Sequence, residues 1–145
     1  MNQENKEDYY LNIAKAVAEG STCYLFKEGA VVVNSAGDII ATGYNGAVDA
    51  CIDCNKNQIC TYTATTGDIS NGLQEQCMGL HAEINALLSA GRDKARDSTL
   101  YIYCENRRTG KTVPVYIDGI VGHIIQACKI KNIVTYKAGE TDVYQ

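Results

Sequence analysis

Helical and strand periodicities alternate along this chain, and that alternation limits the possible folds more than any other feature. Tyr10, Ile13, Ala14 and Val17 recur at helical spacing before Gly20, so residues 8–19 are expected to form an opening helix. Residues 30–34 (AVVVN) and 39–44 (IIATGY) are β-rich runs joined by Ser35, Ala36, Gly37 and Asp38, a hairpin by composition and length. Residues 81–90 (HAEINALLSA) are good helix formers and stop at Gly91, a helix terminator. A third strand over 99–104 (TLYIYC), a short helix over 121–127 and a fourth strand over 133–136 (IVTY) follow. Helix, two hairpin strands, helix, strand, helix, strand is the pattern of a three-layer α/β domain with a mixed sheet. With 145 residues, one domain over 1–145 is expected, burying roughly 70% of the surface of the unfolded chain.

Charge and hydropathy exclude several functions. Thirteen Lys and Arg stand against seventeen Asp and Glu, a net charge of −4, which is not the footprint of a duplex-binding or anionic-membrane protein. No run approaches the ~18 apolar residues of a membrane span. The polar, acidic start MNQENKEDYY lacks a signal peptide's apolar region, so a cytoplasmic location is expected. Arg107–Lys111 (RRTGK) lacks the preceding glycine and the strand-to-helix context of a phosphate loop, and it reads as a solvated hairpin tip. Tyr101 and Tyr103, alternating with Ile102, read as a two-sided strand rather than a base-stacking platform.

Seven cysteines in a reducing compartment are more often metal ligands or catalytic thiols than disulfides. Four of them, Cys51, Cys54, Cys60 and Cys77, fall in residues 45–80, an irregular segment of a length that is rare in compact domains unless something staples it. A structural zinc held by those four thiolates would supply the missing organisation. Four reduced, half-buried thiols are the alternative, and a redox role for Cys51 and Cys54 ranks below both, since no thioredoxin-like strand precedes them.

The sharpest local signal is His81-Ala82-Glu83 at the start of a helix. A neutral imidazole there can ligate zinc, and a glutamate two positions on can carry a proton beside the metal without ligating it. The plainer reading is a partly exposed helix-start histidine and a favourable first-turn anion.

Read together, STC at 21–23, GAVVVNSAGDIIATGYNGA at 29–47 and CMGLHAEINALL at 77–88 resemble the cytidine/deoxycytidylate deaminase family, and TLYIY at 99–103 and IIQACKIKNIVTY at 124–136 extend the match in the same order. The dCMP deaminase branch is most similar, over about residues 9–136. The resemblance implies a three-layer α/β/α fold with a mixed five-stranded sheet, the last strand following Tyr136, and assembly as a homo-oligomer. It implies substrate-binding roles for Asn45, which would orient the sugar, and Ala82. It places His81 on a catalytic zinc, with Glu83 as the proton shuttle. Cysteines are also frequent in this branch where Cys54, Cys60 and Cys77 stand.

The resemblance breaks at the remaining zinc ligands. The family zinc takes one His and two Cys, the cysteines arriving as PCxxC at the start of the next helix. Aligning IIQA (124–127) puts that proline and those cysteines at Tyr116, Ile117 and Ile120. The expectation is therefore no zinc at the family's catalytic position, with Ile117 and Ile120 forming an apolar wall beside His81. Cys104, Asp118 and His123 are the candidate replacement ligands, and Cys104 is also a candidate nucleophile. Where the family often has a basic pair after STC, this chain has Leu25 and Phe26, followed by Lys27 and Glu28.

These observations point to hydrolytic deamination of a pyrimidine nucleoside, nucleotide or related amine at a degenerate zinc site. Two alternatives stay open: a zinc-free deaminase fold that binds a nucleotide-like ligand, and an interaction module stapled by the four-cysteine zinc.

Overall fold

The computed structural model describes residues 1–47, 52–60, 79–115, 117 and 119–136, and the backbone of 143–144. Helix α1 runs from Gln3–Ala18, earlier than periodicity alone suggests, because the Asn2 side chain accepts the Asn5 N–H and caps its first turn. Strands β1 (Phe26–Val33) and β2 (Ile39–Tyr44) form the hairpin, turned by Asn34, whose Oδ1 accepts the N–H groups of Ala36 and Asp38. Then come the two-residue strand β3 (Gly46–Ala47), the single turn α2 (Cys54–Asn57), β4 (Gly79–Leu80) and helix α3 (Ala82–Ala90). A turn of helix α4 (Arg92–Ala95), strand β5 (Thr99–Asn106), helix α5 (Gly119–Ala127), and strands β6 (Asn132–Tyr136) and β7 (Val143–Tyr144) complete the order.

The main sheet has five strands in the order β2-β1-β5-β6-β7. It is mixed as expected: β5 and β6 are parallel across the α5 crossover, and the other pairings are antiparallel. The strand expected after Tyr136 is β7. Because side chains alternate across a strand, β1 and β5 each feed two cores. Val31, Val33, Tyr101 and Tyr103 meet Tyr10, Leu11, Ala14 and Ala18 of α1. Ala30, Val32, Leu100 and Ile102 meet Ala82, Ala86 and Leu87 of α3 and Ile125 of α5. That is helix on sheet on helix.

Two close approaches fix the layers. A Cβ at Gly43 would fall on the Ala86 nitrogen and the Ala82 carbonyl oxygen, so α3 lies directly on β2 only because position 43 has no side chain. The β3–β4 pair, Gly46 with Leu80 and Ala47 with Gly79, ties together the two ends of the cysteine-bearing segment. Of that segment's cysteines, Cys54 is half-buried and Cys60 buried, while Cys51 and Cys77 lie outside the described residues. No described helix is long and apolar enough to cross a membrane.

Candidate functional site

The candidate site lies where the N-terminus of α3 meets the middle of the sheet. His81 is the residue that caps α3, in extended backbone, with no side-chain hydrogen bond to the helix. Its imidazole is therefore free to turn toward the sheet, where Nδ1 stands 3.7 Å from Glu83 Oε1 and 3.9 Å from Glu28 Oε1. Half of the His81 side chain remains exposed, so the site has one wet edge.

Glu83, in the first turn of α3, is 1% exposed. Its Oε2 is buried without a hydrogen-bond partner. Burial, with the Glu28 carboxylate beside it, pushes the Glu83 carboxyl up to about 9, against a smaller opposing pull from His81. At neutral pH in the metal-free protein this group holds a proton, which a surface glutamate would not.

Glu28 is the site residue that sequence reasoning missed. The signal was its parity: it shares the α3 side of β1 with Ala30 and Val32, an acid in a run of core positions. The apolar run AVVVN hid this, because a strand taken to begin at Ala30 leaves Glu28 in a loop, whereas β1 begins at Phe26. Glu28 Oε1 accepts the Ala82 N–H at 2.8 Å, taking an otherwise unpaired donor at the α3 N-terminus. Glu28, His81 and Glu83 offer three ligand atoms, all within 4.8 Å of one another, and they are the only such group of three among the described residues.

The other sequence candidates divide. Ala82 sits in the site, but its N–H is committed to Glu28. Asn45 stands at the rim: its Oδ1 accepts the Glu28 N–H at 2.9 Å and its Nδ2 donates to the Phe26 carbonyl at 3.1 Å. One amide proton and one lone pair of Asn45 are left over. Cys104 pairs in register with Glu28, so both side chains leave the sheet on one face. Burial and the nearby Glu28 and Glu83 carboxyl groups push its thiol far above the ordinary range, which disfavours a free thiolate nucleophile. His123 is exposed on α5, and neither it nor Cys104 belongs to the three-donor group; Asp118 lies outside the described residues.

The two isoleucines do not form the wall expected of them. Ile117 packs half-buried against the α3-side core, but Ile120 is 70% exposed, turned out by its place in the first turn of α5. The hairpin tip is also less solvated than its composition suggests. Arg107 Nε and Nη2 donate to the carbonyls of Cys23 and Ser21, both at 3.0 Å, and so hold the STC turn against the end of β5.

Comparison with known proteins agrees with this geometry. The family model for the cytidine and deoxycytidylate deaminase zinc-binding region matches residues 4–106, ending before the segment that carries Ile117 and Ile120. The chain is similar to a deoxycytidylate deaminase of Mycobacterium phage D29, 36% identical over 104 residues that make up 70% of this chain and 80% of that protein. It is also similar to the deoxycytidylate deaminase of Schizosaccharomyces pombe, 33% identical over 68% of this chain, although that stretch is only 30% of the yeast protein. Among solved structures, the dCMP deaminase of cyanophage S-TIM5 in complex with dCMP and dUMP superposes with a TM-score of 0.60 at 23% identity, over 93% of this chain and 82% of that one. By the extent of the family match and the likeness to the phage enzyme, this chain belongs to the cytidine and deoxycytidylate deaminase family.

Proposed function

We propose that the protein is a hydrolytic deaminase of a free pyrimidine nucleotide or nucleoside, with dCMP as the lead substrate. The observation that carries this reading is Glu83, 1% exposed and 3.7 Å from a half-exposed His81 at the start of α3, where burial pushes its carboxyl up. The names of the relatives and the nucleotides held by the cyanophage enzyme support the choice of dCMP.

Deamination exchanges an amino group for oxygen. Water adds to the ring carbon, the C–N bond breaks, and ammonia leaves with a proton that must reach it. Glu83 is suited to carry that proton, because burial keeps it protonated at neutral pH, ready to give a proton to the ring nitrogen and take one back. His81, at the wet edge, is placed to accept a proton from the attacking water. Glu28 holds the Ala82 N–H and with it the first turn of α3, which sets the position of Glu83. Asn45 would orient the sugar through its remaining donor and acceptor.

The family's zinc does not fit here in the family's way. Its thiolates correspond to Ile117 and Ile120, which have no donor atoms, so no step is routed through a His/Cys/Cys zinc. That loss favours a second reading, a deaminase fold that binds the nucleotide without turning it over. A pure interaction module would have no use for His81, Glu83 and Asn45 together. In the cysteine segment, Cys51, Cys54, Cys60 and Cys77 are proposed to hold a structural zinc, supported by the buried thiol of Cys60 in a family whose model is a zinc-binding region. We further take residues 1–145 as one domain, working as a cytoplasmic homo-oligomer on small molecules.

The test is ammonia release from cytidine, dCMP, guanine and related amines. Turnover of dCMP that disappears in Glu83→Ala is the expected result. Saturable dCMP binding with no release from any amine would favour the second reading, and activity that survives Glu83→Ala would overturn the assignment of Glu83.

A further inference from the structure

We propose that Arg108, laid against the ring of Tyr24, is the residue that takes the 5′-phosphate of the nucleotide and so makes this chain prefer a nucleotide to a nucleoside. The choice of ligand rests on the deaminase reading, but the assignment is one of binding and is tested apart from turnover.

The first ground is the order of groups along the sheet. Glu28 and Cys104 face each other across β1 and β5, and Phe26 and Asn106 pair two residues, about 7 Å, further on. Glu83 and His81 gather at the Glu28 level. Asn45 spans the two levels, accepting the Glu28 N–H and donating to the Phe26 carbonyl. Arg107 and Arg108 follow Asn106 directly, and Tyr24 stands two residues before Phe26. Acid and imidazole, then the amide, then the arginines run in the order of a nucleotide's base, sugar and 5′-phosphate.

The second ground is what the cations at this end of the sheet are already doing. Lys27 is committed, its Nζ 2.7 Å from Glu19 and 3.3 Å from Glu105. Arg107 is committed as well, with Nε and Nη2 on the carbonyls of Cys23 and Ser21. Glu19 lies within the field of Arg107, but its hydrogen bond goes to Lys27. Arg108 is different. Its guanidinium carbon lies 5.5 Å from the centre of the Tyr24 ring, and Nη2 donates to the Tyr24 hydroxyl at 3.3 Å. Among the described residues no carboxylate pairs with it, and four of its five side-chain N–H groups have no acceptor. Stacking fixes the plane of a guanidinium and leaves its edge, with parallel N–H groups, for two phosphate oxygens.

The turn that carries Arg108 is itself held in place. Asn106 Oδ1 accepts the N–H groups of Arg108 at 2.9 Å and Thr109 at 3.2 Å, and the Arg107 N–H donates to the Leu25 carbonyl at 3.0 Å. Lys111, exposed on the same turn and without a carboxylate partner among the described residues, adds a second positive charge nearby. The family match ends at residue 106, so these cations belong to this chain's own sequence, and Leu25 and Phe26 across from them carry no charge.

The competing explanation is that Arg108 only packs on Tyr24 and stiffens the tip. Calorimetric titration of the full-length protein with dUMP and with deoxyuridine separates the two, because these ligands differ only in the phosphate and are not consumed. Arg108→Ala is expected to lower the ratio of dUMP to deoxyuridine affinity by roughly ten- to a hundredfold. Inorganic phosphate is expected to compete with dUMP on the unaltered protein and not on Arg108→Ala. An unchanged ratio, an equal loss of both ligands, or no binding of dUMP by the unaltered protein would overturn the assignment. Should Arg108→Ala fail to fold, Arg108→Lys puts the same question with a smaller fall expected, since lysine keeps the charge but not the fork. A ratio that depends on Arg108, without ammonia release from dCMP, keeps this assignment and sinks the reaction. Deamination of dCMP and deoxycytidine with equal kcat/KM keeps the reaction and sinks this assignment.

Discussion

A carboxyl group in the position of Glu83 stabilises the fold only as long as it keeps its proton. Its ordinary ionisation near 4.5 applies to the unfolded chain, whereas in the metal-free folded protein burial and Glu28 move it up to about 9. Between those values the folded state holds a proton that the unfolded state has lost, so stability falls as pH rises from about 4.5 to about 9. At pH 7 the penalty is on the order of 3 kcal/mol by the linkage relation. Glu83→Gln, neutral at every pH, is therefore expected to raise the melting temperature of chelator-treated protein by several degrees at pH 8 and hardly at all at pH 5. Differential scanning calorimetry at the two pH values checks this, and an equal shift at both would mean that the carboxyl is not held protonated. His81 and Glu83 were legible in the sequence because HAE opens a helix after a glycine-bearing turn. Glu28 was not, since its role depends on strand parity and on a neighbour far along the chain.

At the scale of elements, the site depends on how closely α3 lies on the hairpin. Gly43→Ala would drive a methyl into the Ala86 nitrogen and Ala82 carbonyl, forcing α3 away from β2. A displacement of that kind costs about 1–3 kcal/mol. Urea unfolding is expected to show that loss, accompanied by weaker turnover of dCMP, because Ala82, Glu83 and the His81 cap move with the helix. Full stability in Gly43→Ala would show that the layer spacing is set elsewhere. Helix α3 and strand β2 could be read from composition to within a residue, because their apolar periodicities coincide with their hydrogen-bonded limits. Strand β1 could not. Its first half, FKEG, is poor in strand formers, and it is drawn into the sheet by pairing with β5 from Phe26–Asn106 onward. The tip at Arg107 escaped for the same reason, its guanidinium being held by carbonyls of a turn more than eighty residues earlier in the chain.

For the whole molecule, the alternation of helices and strands carried through to the sheet order and its two cores, because each amphipathic element has one apolar face to bury and the layers follow. The catalytic chemistry is less directly written, since this chain keeps the family's helix-start histidine and glutamate but has isoleucine where the zinc cysteines belong. The proton-carrying carboxyl of Glu83 and the half-exposed His81 beside it come down to one claim: the site still adds water across a ring carbon–nitrogen bond. Incubating the protein with dCMP in H2(18)O and following the pyrimidine by mass spectrometry tests it most directly. The account predicts dUMP carrying one 18O, one ammonia released per dUMP formed, and neither product with Glu83→Ala. Unchanged dCMP after prolonged incubation, or product formation undiminished in Glu83→Ala, would contradict it.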